Sequence, residues 1–177
     1  MFRKLLNEEL HRISKEEYKE ASKTPLVIIL DNVRSQHNIG STFRTADAFR
    51  IEKIILCGIC ATPPTAEIHK SALGAEFSVD WEYYSDTIEA INAAKNQGYQ
   101  IVGIEQTENS ISLDKWEGER EEKYALIFGN EVYGVKQEAI DLCDACIEIP
   151  QFGTKHSLNI SVSVGVVLWD FIRKSIK

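Results

Sequence analysis

The amino-acid sequence predicts an α/β fold, a mainly parallel sheet flanked by helices. Short apolar runs without polar alternation recur at residues 26–30 (LVIIL), 53–57 (KIILC), 99–104 (YQIVGI) and 124–128 (YALIF). Strands covered on both faces require such runs. Segments of helical spacing lie between them, and strands that alternate with helices build parallel sheets through crossover connections. No internal repeat or low-complexity linker interrupts the 177 residues, a length that fits one domain with a sizeable core.

In chain order, Phe2, Leu5, Leu6, Leu10 and Ile13 recur at three- and four-residue spacing, which predicts a helix over the first twenty or so residues. Residues 1–24 are therefore read as a helical extension, a packing helix with a solvated outer face, and residues from about 26 to 177 as the core. Pro25 punctuates before the first strand, residues 31–40 are polar and loop-like, and a helix is expected over about 39–49. The strand at 53–57 leads through the proline pair of CATPPTAE to a helical turn at 70–76 and a short strand at 79–84. Asp86-Thr-Ile-Glu89 has capping-box spacing and opens a helix that Gly98 closes. After the strands at 99–104 and 124–128 come a helix at 136–143, a strand at 146–149 and a long final helix over about 157–174.

The formal charge of −7 and pI near 5.2 count against a protein that coats nucleic acid through a broad basic face. Much of that acidity falls within residues 105–122, including EGEREEK, read as a solvated loop or helix, so a local basic patch elsewhere stays open. No apolar run approaches the roughly 18 residues of a membrane span. The charged N-terminus lacks the apolar core of a signal peptide, and a cytoplasmic chain is expected, with no membrane partner. Four cysteines form two CxxC pairs, Cys57/Cys60 and Cys143/Cys146, more than eighty residues apart. Zinc knuckles favour roughly 15 to 20, so free thiols and no metal are expected.

Ligands gather at the carboxyl ends of strands in open α/β sheets, and three loops there carry unusual residues. In the first, Asn38-Ile-Gly-Ser-Thr-Phe-Arg44, a glycine near a helix start permits close backbone approach, and Arg44 follows on an otherwise apolar helix. A snorkelling or ion-paired arginine reads the same way. The second, Phe128-Gly-Asn-Glu-Val-Tyr-Gly134, has the form of a ligand loop but lacks the Lys-Ser/Thr of a P-loop, and no GxGxxG follows any strand, so phosphate binding has little support. Glu131 would serve equally as a helix-terminal carboxylate. The third, PQFGTKHSLNIS from Pro150 to Ser161, places polar residues directly before the apolar run VSVGVVLWDF. Ser157 is a candidate N-cap, and serines can return hydrogen bonds to a helix. Asn159 carries an amide that a helix interior does not satisfy.

Together and in this order, the loops resemble the SpoU family of RNA ribose 2′-O-methyltransferases, within the SPOUT class. Asn38, Gly40 and Arg44 match that family's first motif. Gly129, Glu131 and Gly134 match its second, and Ile149, Pro150, Gly153, Ser157, Leu158 and Asn159 its third. Ser163 and Gly165 stand where family members often carry alanine. The resemblance runs from about Leu26 to the C-terminus. It implies a C-terminal trefoil knot, although chains are almost never knotted. It also implies S-adenosylmethionine (S-adenosyl-L-methionine) as cofactor, RNA as partner, and a homodimer with the active site near the subunit contact. The segment IEQTENSISL is similar to the tRNA-guanosine branch, which puts tRNA first as substrate and rRNA second.

By the same resemblance Arg44 activates the ribose hydroxyl, a poor nucleophile at neutral pH, while gripping an RNA phosphate. Asn38 and Glu131 orient the arginine and the ribose, and Ser157 and Asn159 complete the pocket. Gln106, Gly129, Ile149 and Leu158 are the expected cofactor contacts. Arg34, Arg44, Arg50, Lys155 and His156 are the local positives available to RNA. Two rival readings stand beside this one: an RNA-binding or assembly protein with weak or lost activity on the same scaffold, and a small-molecule α/β enzyme or nucleotide-binding module, which the acidity favours.

Overall fold

The computed structural model describes residues 2–118 and 122–175. Among them one sheet contains β1 (Thr24–Asp31), β2 (Ile51–Cys57), β3 (Asp80–Tyr84), β4 (Tyr99–Ile104), β5 (Ile111–Ser112), β6 (Lys123–Phe128) and β7 (Ala145–Glu148). The strand order is β3-β2-β1-β6-β4-β7-β5, and every pairing between these strands is parallel. The strand β6 lies between β1 and β4, with Leu126 opposite both Ile28 and Val102. Helices α1 (Lys15–Glu20), α2 (Gln36–Ala48), α3 (Ala66–Ala72), α4 (Thr87–Asn96), α5 (Gln137–Ile140) and α6 (Ile160–Ser175) make the crossings and the covering layers.

Alternation along the central strands divides the core. Ile28, Leu30, Leu126 and Phe128 pack with Ile39 and Phe43 of α2 and Val164 and Leu168 of α6. Val27, Ile29, Ala125 and Ile127 face the other way, against Ala90, Ile91 and Ala94 of α4. Both faces are covered, which is why these strands read as unbroken apolar runs. Each fully buried isoleucine or leucine contributes about 1.5–3 kcal/mol relative to exposure.

The N-terminal segment differs from the expected single helix. Residues 7–10 form one tight turn, His11 takes φ +48°, and a separate helix α1 starts at Lys15. Ser14 and Glu17 form a reciprocal cap, Glu17 N–H to Ser14 Oγ at 3.1 Å and Ser14 N–H to Glu17 Oε2 at 2.7 Å, which starts α1 afresh and breaks the longer period. Phe2, Leu5, Leu6, Leu10 and Ile13 are all exposed, so the apolar spacing marks no packed face.

One helix start follows the sequence expectation, and two smaller elements differ from it. Asp86 caps α4 by accepting from Ile88 N–H at 2.9 Å. The helix expected at 136–143 shortens to α5, and the two-residue β5, unannounced by any apolar run, joins the edge through β7. Part of the acidic EGEREEK stretch, residues 119–121, lies outside the described residues. Among the described residues no helix is long and apolar enough to cross a membrane, and no group of three or more His, Cys, Asp or Glu could hold a metal ion.

Candidate active site

The carboxyl ends of β4, β6 and β7 border one cleft of about 510 Å³, completed by the segment that leads into α6. Its wall comprises residues 104–106, 128–134, 147–149, 151, 156–160 and 163. The volume falls within the usual range for a small-molecule or cofactor site.

The segment after β6 is closed on itself. Asn130 and Gly134 exchange backbone hydrogen bonds, each 2.9 Å, while Asn130 Oδ1 accepts from Val132 N–H at 2.8 Å and Asn130 Nδ2 donates to the carbonyl of Asn32 at 2.7 Å. Both glycines are required there. A Cβ on Gly129 would sit 2.0 Å from the Gly134 carbonyl carbon, and one on Gly134, where φ is +68°, would sit 2.2 Å from Glu105 Oε2.

This loop holds Glu131 against the start of α2. The carboxylate accepts from the backbone N–H groups of Arg34 and Ser35, each at 3.1 Å, and from Asn38 Nδ2 at 3.3 Å. Partial burial pushes the Glu131 carboxyl up, but those donors and its own N–H outweigh it and hold the group below its ordinary value. A carboxylate at a helix N-terminus also meets the positive end of the helix dipole. Both the helix-terminal and the cleft readings of Glu131 thus describe one position.

Asn38, only 7% exposed, passes the network on. Its Oδ1 accepts from Asn159 Nδ2 at 3.2 Å. Asn159 Oδ1 in turn accepts from Ser161 N–H at 2.9 Å and from the Ser161 hydroxyl at 2.7 Å. The cap of α6 is therefore Asn159. Ser157, expected in that role, lies upstream in the cleft wall, and its side chain makes no hydrogen bond among the described residues. The awkward amide of Asn159 belongs to the helix start, where both its ends find partners.

Of the residues singled out in the sequence, Gln106, Gly129, Glu131, Ile149, Ser157, Leu158 and Asn159 all line the cleft, and Asn38 is bonded to two of them. Gln106 Nε2 also donates to the carbonyl of His156 at 2.8 Å, joining the end of β4 to the approach of α6. Arg44 is placed differently. It lies on the exposed side of α2, outside the cleft wall, and makes no hydrogen bond or ion pair among the described residues. Arg34, Arg50, Lys155 and His156 are likewise exposed.

Two carboxylates escaped the sequence reading. Asp31, fully buried, accepts from Thr87 Oγ1 at 2.6 Å, Asn32 Nδ2 at 2.7 Å and Lys136 N–H at 3.0 Å. Glu105 accepts from Val135 N–H at 3.0 Å and so ties the end of β4 to the loop after β6. Their signal was an acid placed directly after an apolar strand, as in LVIILD and IVGIE.

A family model described as the SpoU rRNA Methylase family matches residues 25–169. The chain belongs to the SpoU family. This SpoU chain is 32% identical over 155 residues to the 23S rRNA (guanosine-2′-O-)-methyltransferase RlmB of Neisseria meningitidis, covering 88% of this chain and 61% of that protein. It is 31% identical over 151 residues to RlmB of Vibrio vulnificus, covering 85% and 60%. The chain thus spans about 60% of the length of these curated relatives. Its fold is similar to that of the A. aeolicus TrmH/SpoU tRNA modifying enzyme, with a TM-score of 0.78 and 26% identity over 90% of this chain and 79% of that one. It is also similar to the AdoMet-bound rRNA methyltransferase from Sinorhizobium meliloti, with a TM-score of 0.80 and 26% identity over 90% and 61%.

Proposed function

We propose that this SpoU chain is an S-adenosylmethionine-dependent RNA methyltransferase that transfers a methyl group to a ribose 2′-hydroxyl. The observation that carries the reading is the hydrogen-bonded run Glu131–Asn38–Asn159 beside a cofactor-sized cleft. All three matched motifs contribute to it.

The cleft wall suits the cofactor chemically. Glu105, Glu131 and Glu148 put carboxylates around a site that would hold a cation, and Ile104, Ile149 and Leu158 offer apolar surface to an adenine. Gln106, Gly129, Ile149 and Leu158 would hold it. When bound, S-adenosylmethionine supplies a methyl group already activated on a sulfonium sulfur. What remains for the protein is alignment and the hydroxyl proton. The guanidinium of Arg44 is a hydrogen-bond donor only and so is no base; it favours the alkoxide and grips a neighbouring phosphate, and the proton leaves to water. Asn38, Glu131 and Asn159 hold the polar rim in one arrangement, and Ser157 offers its free hydroxyl to the ribose.

A homodimer belongs to the same proposal. On α6, Val162, Val166 and Trp169 form an exposed stripe, with Trp169 53% exposed and its ring 6.3 Å from that of Phe49. A second copy covering this stripe would bring a subunit contact close to Arg44, which no partner within the described chain restrains. We further take residues 1–177 as one SPOUT-like domain with a C-terminal trefoil knot, acting in the cytoplasm. The entry of β6 between β1 and β4 supports the knot.

The substrate indicated by IEQTENSISL is tRNA. The names of the curated relatives favour rRNA as the second reading. Calorimetry with S-adenosylmethionine, followed by transfer of labelled methyl to purified tRNA and rRNA, tests the proposal. Binding and transfer to one of them are expected. Binding without transfer to any RNA favours the assembly-protein reading, and preference for a nucleotide over the cofactor favours the small-molecule enzyme.

A further inference from the structure

We propose that Cys143 and Cys146 form a reversible dithiol–disulfide couple at the edge of the sheet, one residue short of the cleft. The motif CDAC carries it, and its central aspartate fixes the geometry. Asp144 N–H donates to the Ile101 carbonyl at 2.8 Å, and Asp144 Oδ2 accepts from Ile101 N–H at 2.7 Å. Tied twice to β4, Asp144 holds the flanking cysteines over the same strand.

What lies beneath them is a glycine. Cys146 is in register with Gly103 of β4, and a Cβ on Gly103 would stand 3.1 Å from Cys143 Sγ and 3.3 Å from Cys146 Sγ. Both sulfurs occupy the space that any side chain at 103 would take. Both sulfurs flank that one point within 3.3 Å, both thiols are half-buried, and both line a solvent-open depression of about 490 Å³ shared with Gln106 and Gln137. Small thiol reagents can reach them there.

The other CxxC pair provides the contrast. Cys57 and Cys60 are buried. Cys60 Sγ accepts from Val33 N–H at 3.2 Å and donates to the Leu30 carbonyl at 3.3 Å. Burial, which also pushes these thiols up to about 12 and about 11, closes them to reagents and makes them packing groups. At the half-buried pair the roles divide. Cys143 Sγ donates to the Ala139 carbonyl at 3.3 Å, and burial together with the neighbouring Cys146 pushes it up to about 12. With its thiol engaged on that carbonyl, Cys143 is assigned as the resolving thiol and Cys146 as the first to react.

With a low-molecular-weight disulfide such as oxidised glutathione the chemistry balances. Cys146 thiolate attacks one glutathione sulfur, breaking the S–S bond and releasing a glutathione thiolate. Cys143 then gives up its proton and attacks Cys146 Sγ, releasing the second glutathione. Two protein thiols and one disulfide become one protein disulfide and two glutathione thiols. The change falls next to the cleft: Glu105 N–H, two residues after Gly103, donates at 3.0 Å to the carbonyl of Ile147, one residue after Cys146.

The experiment equilibrates the native protein in oxidised or reduced glutathione, quenches in acid, alkylates free thiols after denaturation, and weighs the peptides. In oxidised buffer the 143–146 peptide should lose two hydrogens and take no alkyl group, then return to the doubly alkylated form in reduced buffer. Cys57 and Cys60 should stay alkylated throughout, so two of the four thiols are lost. Cys143→Ser should stop at a glutathione adduct on Cys146. A wild-type 143–146 peptide that is doubly alkylated at every ratio, or that carries glutathione without closing, overturns the proposal.

Discussion

The side-chain amide of Asn159 donates to Oδ1 of Asn38 at 3.2 Å, joining residues 121 positions apart in the chain. Asn38 donates to Glu131 through its other side-chain atom. Each loop's polar group is thereby oriented by another loop, and removing one member leaves its neighbour short of a partner.

The two ends of Asn159 can be separated by substitution. Asn159→Asp retains the acceptor that caps α6 but sets an oxygen against Asn38 Oδ1. Its stability should stay within about 1 kcal/mol of wild type, with methyl transfer reduced at least about tenfold. Asn159→Ala should lose both the cap, about 1 kcal/mol, and the transfer. Denaturant unfolding and labelled-methyl transfer on the same preparations check this.

Glu131 predicts a pH signature. Its carboxyl is held below the ordinary value of 4.5, so the folded state favours the charged form. The resulting stability is fully present above that pH and is lost as pH falls through the lower folded value. The stability difference between wild type and Glu131→Gln should be constant near neutrality and shrink in acid, as read by denaturant unfolding over a pH series. A difference that grows in acid contradicts the assignment.

Three glycines should respond with different signs. Alanine at Gly129 or Gly134 collides with backbone or with Glu105, which should cost about 1–3 kcal/mol and abolish cofactor binding. Gly165 lies inside α6, with nothing among the described residues within 4 Å of the added methyl. Gly165→Ala should stabilise the fold by about 0.5–1 kcal/mol. Thermal and calorimetric titrations distinguish the three.

The exposed stripe on α6 predicts an association constant sensitive to one residue. Trp169→Glu should convert a dimer to a folded monomer, seen as a halved mass in sedimentation with unchanged circular dichroism. Retention of the dimer would place the subunit contact elsewhere.

The sequence made the central strands legible because β1, β2, β4 and β6 are buried on both faces, so their apolar runs coincide with their ends to within two or three residues. Periodicity failed where burial did not follow it. The spacing of Phe2, Leu5, Leu6, Leu10 and Ile13 resembles a packed face, yet Ser14 and Glu17 restart the chain locally and nothing among the described residues covers those side chains. The loops were legible as motifs, but the bonds among them were not. No local rule states that Asn38 meets Asn159, or that Glu105 receives Val135, since those contacts depend on the order in which strands sit in the sheet. Likewise Ser157 is an acceptable cap by type, and only the path of the chain gives that role to Asn159.

The most direct test asks where on the nucleotide the methyl lands and whether Arg44 is needed. RNA labelled from methyl-tritiated S-adenosylmethionine is digested in alkali, which cleaves beside every free 2′-hydroxyl. Wild-type protein should leave the label in alkali-stable dinucleotides, and Arg44→Ala should lower its rate of incorporation by about 10²-fold or more, with stability unchanged to within about 0.5 kcal/mol. Label recovered in mononucleotides as methylated base, or normal transfer by Arg44→Ala, would contradict the account.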